Sequence, residues 1–158
     1  MRAVQKLRKH REDIGLCVGC MALFGLRPAE VAALRRDNYT PPRGNDPGRL
    51  SSHGVKGHPA RAIPIAKGGK SHEWLSACLS LGRKYGSTTP RSFLVPCKYG
   101  RSQRRPGGWT TESLDMALGR LAKQLRLDFL PYWVRHGCVS YAQHRSAPPP
   151  LCNNMPAT

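Results

Sequence analysis

A charged side chain directly follows an apolar stretch near the amino terminus, and its neighbours indicate anion binding. Arg27 stands between that apolar stretch and Pro28, and proline is favoured at the first position of a helix. The start of a helix attracts anions, and a guanidinium there adds a forked donor that matches a phosphate group. Glu30, three residues on, can orient the arginine or a nearby base. The alternative is a solvated helix start at which Arg27 pairs only with Glu30.

Two other segments add basic side chains that could act on the same anion. Lys56 lies in the turn of a predicted hairpin, from which its long amine can reach into a groove. Arg135 lies on a predicted helix, with Tyr132 one turn before it on the same face. Phosphoryl transfer on DNA needs such a set, because arginines neutralise the non-bridging oxygens while a lysine gives a proton to the leaving oxygen.

The net charge favours a polyanionic partner. The chain has 26 lysines and arginines against 9 acidic residues, which gives a formal net charge of +17. So large an excess is typical of proteins that bind nucleic acid. A basic surface on a structural, ribosome-like protein is the alternative that charge leaves open.

The apolar stretch itself does not predict a membrane protein. It runs over residues 14–26, which is shorter than the roughly 20 apolar residues that cross a bilayer. The residues around Arg27 do not form a small-residue cleavage site, so no signal peptide is indicated. We therefore expect a cytoplasmic protein that makes no membrane contact.

The cysteines favour buried thiols over a metal site. Cys17 and Cys20 form the one close pair among six cysteines, and no second pair or HxxxH completes a zinc tetrad. Both lie in an apolar helical stretch, where cysteine packs as a small hydrophobe. We expect neither a metal nor a cofactor. A small zinc-binding regulator remains the alternative.

Periodicity predicts a mainly α-helical domain with a small antiparallel hairpin. A single domain over residues 1–145 is expected, followed by a disordered tail over 146–158 that holds no charged side chain and is rich in proline. The predicted helices are 2–24, 28–36, 70–85, 110–125 and 131–143, and the predicted strands are 49–55 and 61–65.

Three segments, in order, resemble one known family. They are F24-G-L-R27-P-A-E30-V-A-A-L-R-R-D37, V55-K56-G-H-P-A-R61-A-I-P-I65 and Y132-W-V-R135-H136-G. They resemble the first arginine box, the β-hairpin lysine segment and the second arginine box of the tyrosine recombinases, also called phage integrases. The resemblance covers residues 3–143. It implies the catalytic-domain fold of that family, with DNA as partner and DNA recombination and integration as the activity by descent.

The resemblance also implies a role for each candidate residue. Arg27 and Arg135 would bind the scissile phosphate, Lys56 would be the general acid for the leaving 5′ hydroxyl, and Glu30 would support the site. Tyr132 stands where the family has a histidine. Its phenol can donate a hydrogen bond to a phosphate oxygen, although a reference pKa of about 10 makes it a poor proton shuttle at neutral pH.

The sequence departs from the family after the second arginine. The family continues to a histidine or tryptophan box and then to the nucleophilic tyrosine, whereas Tyr141 here lies on the same predicted helix as Arg135 and is expected to pack. We therefore expect a truncated mobile-element recombinase that binds DNA without forming the covalent intermediate alone. A subunit completed in trans by full-length recombinase subunits, and a non-catalytic basic nucleic-acid-binding protein, are the alternatives.

Overall fold

Five α-helices and a three-stranded sheet make up the described part of the chain. The structure, a computed structural model, describes residues 2–53, 60–97 and 107–127. The helices are α1 (Arg2–His10), α2 (Glu12–Phe24), α3 (Pro28–Ala33), α4 (Lys70–Lys84) and α5 (Thr111–Gln124), with a 3-10 turn at Arg36–Asn38. The strands are β1 (Tyr39–Thr40), β2 (Gly48–Ser52) and β3 (Arg61–Ile65).

The prediction of one continuous helix over residues 2–24 is wrong, because the chain breaks at Arg11. The backbone of Arg11 is extended, with φ −142° and ψ 96°. Its guanidinium donates to both carboxylate oxygens of the buried Asp13, at 3.0 and 2.9 Å. The break lets α1 pack against α2, so closely that a Cβ at Gly15 would overlap the backbone of Arg8.

The second half of that segment forms the central helix, as its apolar composition predicts. Helix α2 is buried on nearly every side and contacts α1, α3, α4 and α5. Cys17 and Cys20 are fully buried in it, as expected. Gly19 makes room for the ring of Trp74 from α4, whose Nε1 donates to the Leu16 carbonyl at 3.1 Å. The core is therefore built around α2, and Arg27 follows its carboxyl end.

The predicted hairpin is present and is joined by a third strand. Strands β2 and β3 pair antiparallel, with Ser52 opposite Arg61 at one end and Gly48 opposite Ile65 at the other. Strand β1 adds to β2, with Tyr39 opposite Leu50. The sequence did not indicate β1, because two residues are too few to show an alternating pattern.

The other described helices agree with the sequence-based prediction, except that one of them ends early. Helix α3 ends at Ala33, earlier than predicted, because Leu34 adopts an extended backbone with ψ 130°. Helices α4 and α5 agree with prediction, and Thr110 caps α5 by accepting a hydrogen bond from the Ser113 N–H at 3.1 Å. The predicted helix 131–143 and the predicted tail 146–158 lie outside the described residues. Within the described ranges, no helix is long and apolar enough to cross a bilayer.

Candidate functional site

Arg27 lies in a sharp turn between the central helix and α3, which we call the arginine turn (residues 25–28). Gly25 ends α2 in the left-handed region, with φ 61° and ψ 29°, where a side chain would be strained. Leu26 is fully buried and anchors the turn in the core. Arg27 is half-buried with an extended backbone, and its carbonyl accepts the first hydrogen bond of α3, from Val31 at 3.0 Å. Among the described residues, the Arg27 guanidinium has no hydrogen-bond or ion-pair partner.

Glu30 holds the arginine turn through the backbone. It is 5% exposed, and its Oε2 accepts a hydrogen bond from the Arg27 backbone N–H at 2.7 Å. A glutamate at this third helical position caps the start of a helix in this way. The proposed pairing of the Arg27 side chain with Glu30 is therefore not what the structure contains, since the contact is made by the main chain.

The Glu30 side chain also binds the end of the hairpin. The Ser52 hydroxyl donates to Oε1 at 3.0 Å. The Arg61 Nη2 lies 3.2 Å from Oε2 and 3.4 Å from Oε1, and it donates to the Gly25 carbonyl at 2.9 Å. One buried carboxylate thus joins the arginine turn to both strands of the hairpin.

Sequence reasoning missed Ser52 and Arg61, although β3 carries a signal. Alternation along β3 puts Arg61 on the same face as Ile63 and Ile65, which is the face that turns toward the core. A charged residue on that face indicates a nearby acidic partner. The alternation does not show which acidic residue that partner is.

His53 follows Ser52 and has a fixed neighbour. The Asn38 Oδ1 accepts a hydrogen bond from the Arg35 N–H at 2.7 Å, so the Asn38 amide nitrogen faces the His53 Nε2, 3.2 Å away. Because that nitrogen is a donor, His53 Nε2 must accept, and the neutral ring carries its proton on Nδ1. His53 is exposed and immediately precedes the segment that contains Lys56.

The arrangement of helices and sheet matches solved structures of DNA recombinases. The match to the crystal structure of XerA recombinase has a TM-score of 0.67 over 93% of this chain, at 15% identity. A lambda integrase tetramer bound to a Holliday junction matches over 91% of this chain, with a TM-score of 0.65 and 12% identity. Lambda integrase residues 75–356 bound to DNA match over 90%, with a TM-score of 0.65 and 14% identity. The fold is that of the tyrosine recombinases.

These comparisons confirm the predicted fold class, and they show that the chain spans less than half of each matching chain. The chain spans 48% of the XerA recombinase chain and 40% and 48% of the two lambda integrase chains. No protein-family model matches the sequence, and no curated protein sequence matches it either. At these identities the likeness concerns the arrangement of the backbone.

Within this tyrosine-recombinase fold, the structure brings together some of the predicted site residues. Arg27 and Glu30 lie in one turn, and Glu30 also binds Ser52 and Arg61, which end β2 and begin β3. Three predicted site residues lie outside the described residues, namely Lys56, Tyr132 and Arg135. Their convergence with Arg27 stays a prediction, as do the interpretations of His136 and Tyr141.

Two of the described cysteines, Cys17 and Cys78, lie in environments that disfavour the thiolate. Burial raises the pKa of the Cys17 thiol well above its usual value. A hydrogen bond with Cys20, whose sulfur is 4.0 Å away, and burial together raise the pKa of the Cys78 thiol. Metal binding requires the thiolate, which these environments disfavour. Across the described ranges, no three histidine, cysteine or acidic side chains are placed to hold a metal ion.

Proposed function

We propose that the chain binds the phosphate backbone of DNA as part of a tyrosine-recombinase catalytic domain. The observation that carries the proposal is which part of Arg27 is bound by its neighbours: the backbone is, and the guanidinium is not bound by any described residue. The charge of Glu30 is engaged by Arg61, so Glu30 holds the Arg27 backbone without neutralising the Arg27 guanidinium. An arginine whose backbone is held in place, and whose guanidinium has no partner among the described residues, is suited to bind a phosphate oxygen.

The other predicted residues complete the proposed site. Arg27 and Arg135 contact the non-bridging oxygens of one phosphate, and Tyr132 donates a hydrogen bond to it. Lys56 gives a proton to the leaving 5′ oxygen. The support for including Lys56 is the hairpin, because Lys56 is four residues from Ser52 and five from Arg61, and both of these side chains bind Glu30.

The partners follow from the same fold. Two of the similar structures are lambda integrase bound to DNA and a lambda integrase tetramer bound to a Holliday junction. We extend both features to this chain, so that DNA is its ligand and further recombinase subunits are its protein partners.

A second candidate function is that of a non-catalytic basic nucleic-acid-binding protein. The net charge of +17 favours it, since charge alone attracts DNA. In that case Arg27 contributes no more to DNA affinity than an exposed arginine elsewhere on the surface. The two candidates therefore differ in the importance of the arginine turn.

Binding of a fluorescently labelled DNA duplex, followed by anisotropy at two salt concentrations, tests the proposal. We expect a Kd on the order of 10⁻⁴ to 10⁻⁶ M at physiological salt, with a steep loss of affinity as salt rises. Arg27→Ala should lower the salt slope by about 1. Replacing Arg27 and Arg135 together should still weaken binding only modestly, because other basic residues share the phosphate contacts.

Arg83→Ala is the matched control, because it removes the same charge from a different element. Arg83 is exposed near the end of α4, and its Nη2 donates to the Ser80 hydroxyl at 3.3 Å. Equal effects of Arg27→Ala and Arg83→Ala favour the non-catalytic candidate. Tight binding whose affinity does not depend on salt concentration contradicts both candidate functions.

A further inference from the structure

Two arginines contact the same buried carboxylate, but only one of them does so with its charged group. The Nη2 of Arg61 lies 3.2 Å from Glu30 Oε2 and 3.4 Å from Oε1. Arg27 contacts Oε2 only through its backbone N–H, at 2.7 Å, and its guanidinium has no partner among the described residues. Glu30 therefore takes its cation from a residue 31 positions away, although another arginine precedes it by three positions.

The fold holds Arg61 beside Glu30 through two further contacts. The Arg61 Nη2 also donates to the Gly25 carbonyl at 2.9 Å, where α2 ends. Arg61 begins β3 and lies opposite Ser52 in the sheet, and the Ser52 hydroxyl donates to Glu30 Oε1 at 3.0 Å. Strand pairing and the Gly25 carbonyl thus both place the Arg61 guanidinium at the carboxylate.

The burial of Glu30 predicts what happens when Arg61 is removed. The Glu30 side chain is 4% exposed, whereas the Arg61 side chain is 39% exposed. A carboxylate that deep in the protein is costly without a cation, and Arg61 is its only salt-bridge partner among the described residues. Arg27 already contacts Glu30 through its backbone, and side chains three residues apart on a helix can pair. Without Arg61, the Arg27 guanidinium should therefore turn to Glu30.

We propose that Arg61 neutralises Glu30 and thereby leaves the Arg27 guanidinium available to an anion. Glu30 can then hold the Arg27 backbone without binding the Arg27 side chain. The inference rests on the proposed function for the identity of that anion, which is a DNA phosphate. Arg61 is a positioning residue that acts through Glu30, and its role requires no contact with DNA.

Nuclear magnetic resonance of the arginine side chains tests this role in the absence of DNA. A guanidinium without a partner rotates rapidly about its Nε–Cζ bond, whereas a forked pair with a carboxylate slows that rotation and separates the Nη signals. We expect rapid rotation of the Arg27 guanidinium in the unchanged chain and slow rotation in Arg61→Met. Adding Glu30→Gln to Arg61→Met should make the rotation rapid again, because the carboxylate is gone.

Arg49→Met is the matched control. Arg49 lies on β2, is exposed, pairs through its backbone with Pro64, and has no contact with Glu30. The substitution removes the same charge from the same hairpin. The Arg27 guanidinium should still rotate rapidly in this variant, so slow rotation there would show a general effect of lost charge and would overturn the proposal.

DNA affinity at about 0.1 M salt gives a second readout. Arg27→Ala should weaken binding about threefold to fivefold in the unchanged chain and in the Arg49→Met chain. In the Arg61→Met chain the same change should weaken binding by less than about twofold. Adding Glu30→Gln to Arg61→Met should restore the larger effect. Damage to the turn would persist in that double variant, so the recovery reports the charge of Glu30.

The outcomes separate this inference from the function on which it rests. Arg27 signals that are the same with and without Arg61 overturn the inference and leave the DNA-binding function intact. Absence of DNA binding by the unchanged chain overturns the proposed function, whereas the Arg27 signals are recorded without DNA and still test the role of Arg61. If Arg61→Met does not fold, Arg61→Gln replaces it, because glutamine keeps a donor for the Gly25 carbonyl without the charge. Rapid rotation of Arg27 in that variant would likewise overturn the inference.

Discussion

Replacing Glu30 by glutamine should destabilise the fold more than its single lost charge suggests. Three donors converge on the carboxylate, from the Arg27 backbone, the Ser52 hydroxyl and the Arg61 guanidinium. Glutamine keeps one acceptor oxygen and presents an NH₂ donor in place of the other. A hydrogen bond to a charged group contributes about 1.5 to 3 kcal/mol. Because Arg61 is 39% exposed, its ionic part is screened, and we expect a net loss of about 2 kcal/mol.

Urea unfolding followed by tryptophan fluorescence measures this loss. With an m-value of about 2 kcal/mol/M, the midpoint should fall by about 1 M while m stays unchanged. Glu12→Gln is the control, since Glu12 is 43% exposed and lies 3.9 Å from Arg8. That exposed pair should contribute less than about 0.5 kcal/mol. If the urea midpoint of Glu30→Gln is no lower than that of Glu12→Gln, Glu30 does not hold the arginine turn and the hairpin together.

Other consequences of the packing can be measured on the same protein. Gly19→Ala should lower the free energy of unfolding by about 1 to 3 kcal/mol, because the new methyl overlaps the Trp74 ring; a stabilised variant in urea would contradict this contact. Thr110→Ala should cost about 1 kcal/mol by removing the cap of α5, and an unchanged urea midpoint would argue against the cap. Alkylation mapped by peptide mass should modify Cys97, which is partly exposed, before Cys17, whose pKa is raised by burial. Faster modification of Cys17 in the folded protein would show that α2 is not buried as described.

Local patterns predicted the parts of the fold in which neighbours along the chain decide the structure. Leu114, Leu118 and Leu121 recur at helical spacing, and all three are buried on α5. The hairpin was predicted from two short extended runs around a basic turn, and its strands lie within a few residues of the expected ends. In both cases the periodicity itself carries the information.

The break at Arg11 could not be predicted in the same way. It depends on a guanidinium that binds a buried carboxylate two residues away, while the surrounding residues all suit a helix. The composition of the segment therefore indicated helix on both sides without indicating the interruption. The break allows α1 to pack against α2, a contact that the composition of the segment does not reveal.

In the candidate site, too, contacts between residues close in sequence were predicted, and contacts between distant residues were not. Arg27 and Glu30 are three residues apart, so their shared turn was visible in the sequence. Arg61 lies 31 residues from Glu30, and the partner of a buried charge across such a separation is set by the fold. The contact between Arg61 and Glu30 was for that reason not predicted from the sequence.

Whether the Arg27 side chain itself binds DNA can be measured directly. Side-chain Nε–H resonances of the arginines can be followed by nuclear magnetic resonance during titration with a short duplex, with assignments from Arg27→Lys and Arg83→Lys. We expect a saturable shift of the Arg27 resonance that fades as salt rises, while the Arg83 resonance moves little. An Arg27 resonance that stays in place while other arginine resonances shift would contradict the proposed function.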